Sequence, residues 1–171
     1  MKKSLFTLFA LVVLLFSGCG YKPSSTYAKE QIQGDVFVDL FINLKDPKNA
    51  VLIKDAMNEI LVHRLGSKLV YDKKQADTII DLRLGNVSMS TISYDDNGFN
   101  KLYRASVNIN VGYKNEDYQN KFTVTGTNEF SIDDGAIITD TKRFEAIRAA
   151  ASKALEEVIS KIAIQSFKKE K

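Results

Sequence analysis

Apolar side chains at every second position predict the strands of this chain, although the second face of the first strand is also largely apolar. The first strand has apolar side chains at every second position: Val36, Val38, Leu40, Ile42 and Leu44. The same period of two, typical of β-strands, recurs around 78–84, 105–113 and 122–130. Asp96-Asn97-Gly98 separates the second and third of these strands and predicts a three-residue hairpin loop with a left-handed glycine. Residues 69–71 are a candidate short edge strand.

The second strand changes the parity of its apolar positions halfway along. Apolar side chains occupy even positions up to Leu84 and odd positions from Val87 onward. One extra residue must therefore be inserted for both halves to face the same side. We expect a β-bulge at Gly85-Asn86, since glycine in a strand often marks one.

Two segments change to the helical period. Ile53, Met57, Leu61 and Leu65 form an apolar stripe that ends before Gly66. A second stripe extends from Phe144 to Ile162, with Asp140 or Thr141 as the N-cap. The order is β-α-β-β-β-α, which predicts a single α+β domain over 35–171. We expect a two-layer sandwich, with a four-stranded, mainly antiparallel sheet and two helices on one face.

The first residues are typical of an exported protein. Met1-Lys2-Lys3 is basic and Leu5 to Phe16 is an apolar run of twelve residues. As a helix this run spans about 18 Å, too little for a hydrocarbon core of about 30 Å. It fits the apolar part of a signal peptide, predicted over 1–18. Phe16-Ser17-Gly18-Cys19 resembles a bacterial lipobox, so Cys19 is predicted to become the first mature residue and carry the lipid anchor.

Residues 19–34 are polar and show no apolar period. They are predicted to form a lipidated tether that lifts the domain off the membrane. Gly20 follows Cys19 in place of Asp, and by analogy with sorting in many diderm bacteria this places the protein at the periplasmic face of the outer membrane.

Composition excludes several function classes. Without Lys2 and Lys3 the chain has 22 Lys and Arg and 21 Asp and Glu, too even a balance for a nucleic-acid-binding face. Lipidation of the single cysteine leaves no thiol nucleophile, and the single histidine, His63, lies off the apolar stripe. There is no zinc-ligand set, phosphate-binding glycine loop or Gly-x-Ser-x-Gly motif. We therefore expect no enzyme, metal or cofactor.

Taken together, these features resemble the LptE family of lipopolysaccharide-assembly lipoproteins. The resemblance lies in Cys19-Gly20-Tyr21-Lys22-Pro23 after the lipobox, the β-α-β-β-β-α order, the Ala76-Asp77 entry to the second strand and the strand with Gly126. It implies a lipoprotein that plugs the outer-membrane β-barrel protein LptD, assists its assembly and contacts lipopolysaccharide.

An alternative is a regulatory lipoprotein that activates a periplasmic peptidoglycan synthase from the outer membrane. Such a protein must reach across the periplasm. The tether of about fifteen residues extends to roughly 50 Å at most, which favours a partner in the same membrane.

The outward positions of the third and fourth strands are polar and almost uncharged. They are Ser106, Asn108, Asn110, Thr123, Thr125 and Thr127. Such a face suits the polar lumen of a barrel, although an ordinary solvent face remains an alternative. Counting from the Asp96–Gly98 loop and a turn at Asn115-Glu116 places Arg83, Asn110 and Lys121 in one row. The two cations are about 10 Å apart in this arrangement. They are candidate ligands for a lipopolysaccharide phosphate, or else solubilising residues.

Overall fold

The computed structural model describes residues 23–41, 47–133 and 136–169. Cys19 and the predicted signal peptide lie outside them. The α-helices and β-strands within the described residues are α1 (Ser24–Gln31), β1 (Asp35–Phe41), α2 (Pro47–Ile60), β2 (Lys68–Leu69), β3 (Thr78–Tyr94), β4 (Asn100–Lys114), β5 (Gln119–Ser131) and α3 (Asp140–Lys169). A π-helical turn, Leu61–Leu65, continues α2 to Gly66, whose φ of 63° closes the helix as predicted.

The described strands form one mixed sheet in the order β2-β1-β3-β4-β5. β1 is parallel to β2 and β3, whereas β3, β4 and β5 form an antiparallel meander. The predicted α+β class is confirmed, but the four-stranded sheet is wrong because β2 adds a fifth strand at the edge. β2 pairs only Lys68 with Asp35 and Leu69 with Val36. The candidate edge strand at 69–71 overlaps β2 at Leu69, but the four-stranded prediction leaves it out.

A third helix, α1, lies within the segment predicted to be a polar tether. Ala28 is fully buried, and Gln31 and Ile32 are each 5% exposed. Two side chains hold the end of α1 to the sheet: the Asn115 Nδ2 donates to the Gln31 carbonyl at 2.7 Å, and the Thr78 hydroxyl donates to the Gln33 carbonyl at 2.7 Å. Prediction missed this helix because alanine and glutamine, not large apolar residues, form its buried side.

The buried side chains of the sheet and of all three described helices form one core on one face of the sheet. Leu82 and Val107 are both completely buried in it, as the strand periods predicted. Gly85-Asn86 forms the expected bulge, since the β3–β4 register shifts between Leu84 and Val87. The extra residue keeps Val87 and Met89 packed against the core.

The N-terminus of α3 differs from prediction by one residue. The Thr139 hydroxyl, rather than Asp140 or Thr141, accepts a hydrogen bond from the Lys142 N–H at 3.2 Å. α3 then packs across β5 and β4 and contacts α1 and α2. None of the helices in the described part of the chain is long and apolar enough to cross a membrane.

Candidate anion-binding site on the exposed sheet face

Cross-strand polar pairs cover the sheet face opposite the core. The Thr123 hydroxyl donates to Asn110 Oδ1 at 2.7 Å, and the Thr125 hydroxyl donates to Asn108 Oδ1 at 2.9 Å. The pair formed by Ser106 and Thr127 comes next in the same register. These residues face outward as predicted, and in the first two pairs the side chains are hydrogen-bonded across the strands. These three rows of the face are therefore polar without being charged.

The predicted row of Arg83, Asn110 and Lys121 is correct for its first pair and wrong for its second. Arg83 is opposite Asn110, but Lys121 is opposite Gly112. The turn is centred on Glu116 and Asp117, not on Asn115 and Glu116. Asn115 Oδ1 accepts hydrogen bonds from the N–H groups of Asp117 and Tyr118, at 3.1 and 2.7 Å. The hydrogen bonds of the Asn115 side chain move the centre of the turn by one residue. The β4–β5 register therefore shifts by two residues, so Asn110 is opposite Thr123 and not Lys121.

The tertiary structure nevertheless brings the two cations to one depression. Its volume is about 500 Å³, and its lining consists of Asp81, Arg83, Asn110, Val111, Gly112, Lys121, Phe122 and Thr123. Gly112 leaves the space open: a Cβ there would lie 3.4 Å from Lys121 Cγ and 3.6 Å from Asp81 Cβ. Sequence analysis did not single out Gly112 or Asp81.

Arg83 lies beside an exposed aromatic ring. The guanidinium carbon is 5.0 Å from the centre of the Phe41 ring, and Phe41 is 60% exposed. Such stacking orients a guanidinium without neutralising its charge. Neither Arg83 nor Lys121 forms an ion pair with another residue in the described ranges. Both charges thus remain available to an anion.

The neighbouring acidic residues differ in their pairing. Lys73 Nζ lies 2.7 Å from Asp39 Oδ2. That hydrogen bond, together with the charges of Asp39 and Asp81, raises the pKa of Lys73 above its ordinary value. Asp81, which is opposite Asp39 in the parallel β1–β3 pair, forms no ion pair closer than 4.0 Å with a described residue. The depression therefore holds two cations and one carboxylate.

The remaining candidate residue from the sequence, His63, lies outside the depression. His63 is exposed in the last turn of α2, in a shallow groove beside α3. Within 23–41, 47–133 and 136–169, no group of three or more His, Cys, Asp or Glu side chains is placed to hold a metal ion.

Three solved structures of similar fold are described as lipoproteins. The rare lipoprotein B from Shewanella oneidensis matches with a TM-score of 0.56 and 13% identity, over 81% of this chain and 100% of that one. An uncharacterized lipoprotein B from Nitrosomonas europaea matches with a TM-score of 0.54 and 10% identity, over 87% and 94% of the two chains. A putative lipoprotein from Caulobacter crescentus gives 0.53 and 10%, over 84% and 98%. At these identities the likeness shows the fold alone.

A family model gives the more specific result. The LptE model, described as lipopolysaccharide-assembly, matches residues 37–162 of this chain. No curated protein sequence matches this chain significantly. The matched residues extend from β1 to α3 and include the whole depression.

Proposed function

Because this chain belongs to the LptE family of lipopolysaccharide-assembly proteins, we propose that it works as a plug and assembly factor for the β-barrel protein LptD. It is anchored through Cys19 to the periplasmic face of the outer membrane, and its exposed sheet face lies in the barrel lumen. There Arg83 and Lys121 contact phosphate groups of lipopolysaccharide during transport to the cell surface. The chain has no catalytic role in this proposal.

The docking of α1 supports a partner in the same membrane. Since Ala28 is buried in the core and α1 begins at Ser24, only residues 19–23 remain to connect the lipid anchor to the packed domain. Five residues extend to about 17 Å at most. This distance between the anchor and the domain is shorter than the roughly 50 Å expected for a tether of residues 19–34. A peptidoglycan synthase across the periplasm becomes a less favourable partner than a barrel in the same bilayer.

The neutral ladder of the sheet face is the observation that carries the plug proposal. A surface enclosed in a barrel loses part of its water, and an unpaired charge is costly to desolvate. On this face the Asn and Thr side chains are bonded to one another, and Arg104 is paired with Glu129 at 2.6 Å. This part of the face, away from the depression, offers hydrogen bonds to a polar lumen and to its water at little desolvation cost.

The depression supports lipid contact at one place on that face. Arginine and lysine are the residues that bind phosphate oxygens in proteins, by charge-assisted hydrogen bonds. Arg83 and Lys121 are both exposed, lie on adjacent rows of the sheet and are not paired with described acidic residues.

The test is the double variant Arg83→Glu, Lys121→Glu in the full lipidated chain. Its control is Arg64→Glu, Lys74→Glu, which reverses two exposed cations outside the depression. Lipopolysaccharide binding and co-purification with the barrel are measured separately from detergent-solubilised outer membranes. We expect the first variant to lose lipid binding and keep the barrel complex, and the control to keep both. Unchanged lipid binding in the first variant would contradict the phosphate-binding role of Arg83 and Lys121. Failure of a barrel to co-purify with the wild type would contradict the plug role.

A further inference from the structure

The carboxylate of Asp81 is an unexpected member of an anion-binding depression. It projects from β3 beside Gly112, and its Oδ2 lies 3.7 Å from the position that a Gly112 Cβ would occupy. Lys121 lies on the other side of the same glycine. Arg83 is two residues further along β3, about 7 Å from Asp81. A ligand in the depression therefore meets two positive groups and one negative group.

A ligand that carried only phosphate would be repelled by this carboxylate. Asp39, the neighbouring acid, is already bonded to Lys73 at 2.7 Å, so its charge is compensated. Asp81 has no ion pair of its own in the described residues, although its charge contributes, after that of Asp39, to the raised pKa of Lys73. The carboxylate remains available to a positive group on a ligand.

From this arrangement we propose that the depression binds a headgroup with both a phosphate and a primary ammonium group. The phosphate lies on Arg83 and Lys121, and the ammonium group lies on Asp81. A phosphoethanolamine group has this chemistry. It occurs in phosphatidylethanolamine and as a substituent on lipopolysaccharide. This proposal rests on the proposed lipid contact and adds to it a preference that two cations alone would not produce.

The experiment compares two lipopolysaccharide preparations, with and without phosphoethanolamine, binding to the full lipidated chain in detergent. We expect the wild type to bind the ethanolamine-bearing form about two- to fivefold more tightly, the range of an exposed ion pair. Asp81→Asn is expected to abolish this preference, by weakening binding of the ethanolamine form and strengthening binding of the plain form. Asp81→Ser serves as the second variant should Asn perturb the strand.

Glu129→Gln is the matched control, because Glu129 lies on the same sheet face and its carboxylate is engaged by Arg104. It is expected to keep the preference. A wild type without a preference, or a preference that survives both Asp81 variants, would overturn the proposal. Unchanged binding of both lipopolysaccharide forms in Arg83→Glu, Lys121→Glu would be a failure of the underlying lipid contact, whereas equal wild-type affinity for the two forms would be a failure of the ammonium site, so the two failures are distinguishable.

A second arm distinguishes the sources of the headgroup. Vesicles of phosphatidylglycerol are compared with vesicles in which half of the lipid is phosphatidylethanolamine. Asp81-dependent binding to the mixed vesicles identifies the phospholipid as a ligand. Asp81-dependent preference only among the lipopolysaccharides identifies the substituted lipopolysaccharide.

Discussion

Gly126 in β5 lies directly beneath the carbonyl oxygen of Ala150 in α3. A Cβ built on Gly126 would come within 1.9 Å of that oxygen and 2.5 Å of the Ala154 nitrogen. Both are backbone atoms of a helix, so no side-chain rotation relieves the overlap. The packing distance between α3 and the sheet is therefore set by the absence of a side chain at this position.

Replacement of Gly126 by alanine is expected to lower the free energy of unfolding by about 2–3 kcal/mol, since an overpacked core forces the backbone to shift. Urea denaturation of the wild type and the variant measures this difference. Gly98→Ala is the control: it has a positive φ of 82° but no atom within 4 Å of its Cβ position. This control is expected to lower the free energy of unfolding by about 1 kcal/mol, through backbone strain alone. Equal losses in the two variants would contradict the close approach.

Helix α1 is expected to be part of the folded domain and not a spacer. Ala28→Glu places a charge in the core and is expected to lower the free energy of unfolding by at least 2 kcal/mol. Lys29→Glu changes the adjacent, exposed residue and is expected to have little effect. Hydrogen exchange of the amides in 24–32 provides a local measurement. Rapid exchange of these amides in the wild type would show that α1 is not docked.

The N-terminal residue of the mature protein tests the anchor. Mass spectrometry of the N-terminal peptide from membranes is expected to find Cys19, with acyl groups on its sulfur and amine. In Cys19→Ala this peptide is expected to be absent, because the lipidated residue is missing. A mature chain beginning at another residue, or an unmodified Cys19 thiol, would end the lipoprotein interpretation.

Tyr113 predicts a pH dependence of stability. Burial, with a smaller contribution from Tyr118, raises the pKa of its phenol above the ordinary value of 10.0. Its hydroxyl faces Gln31 Oε1 at 3.4 Å. A group whose pKa rises on folding contributes its full stability below pH 10 and loses it as the pH rises through the folded pKa. Denaturation between pH 9 and pH 11 is expected to show a steeper loss for the wild type than for Tyr113→Phe. Parallel curves would contradict this.

Only part of the candidate site could be predicted from residues that are close in sequence. Strand periods and the bulge at Gly85-Asn86 placed Arg83 opposite Asn110, because the two further register shifts near the loop, between Thr91 and Ser93 and between Ser93 and Tyr94, cancel each other. The position of Lys121 was missed, since it depends on which atoms bond to the Asn115 side chain. Asp81 and Gly112 were missed altogether because neither belongs to a motif. They matter only once three strands lie side by side.

The sequence by itself determined the long strands, the bulge at Gly85-Asn86, the end of the helical segment at Gly66 and the outward polar face, because apolar periodicity states which side of an element is buried. Only the tertiary structure decided the pairing of β2 with β1, the docking of α1 and the shared depression of Arg83 and Lys121. Each of these depends on contacts between residues far apart in the chain. Alanine, glutamine and glycine provide those contacts through small size or hydrogen bonds, and such contacts leave no periodic pattern in the sequence.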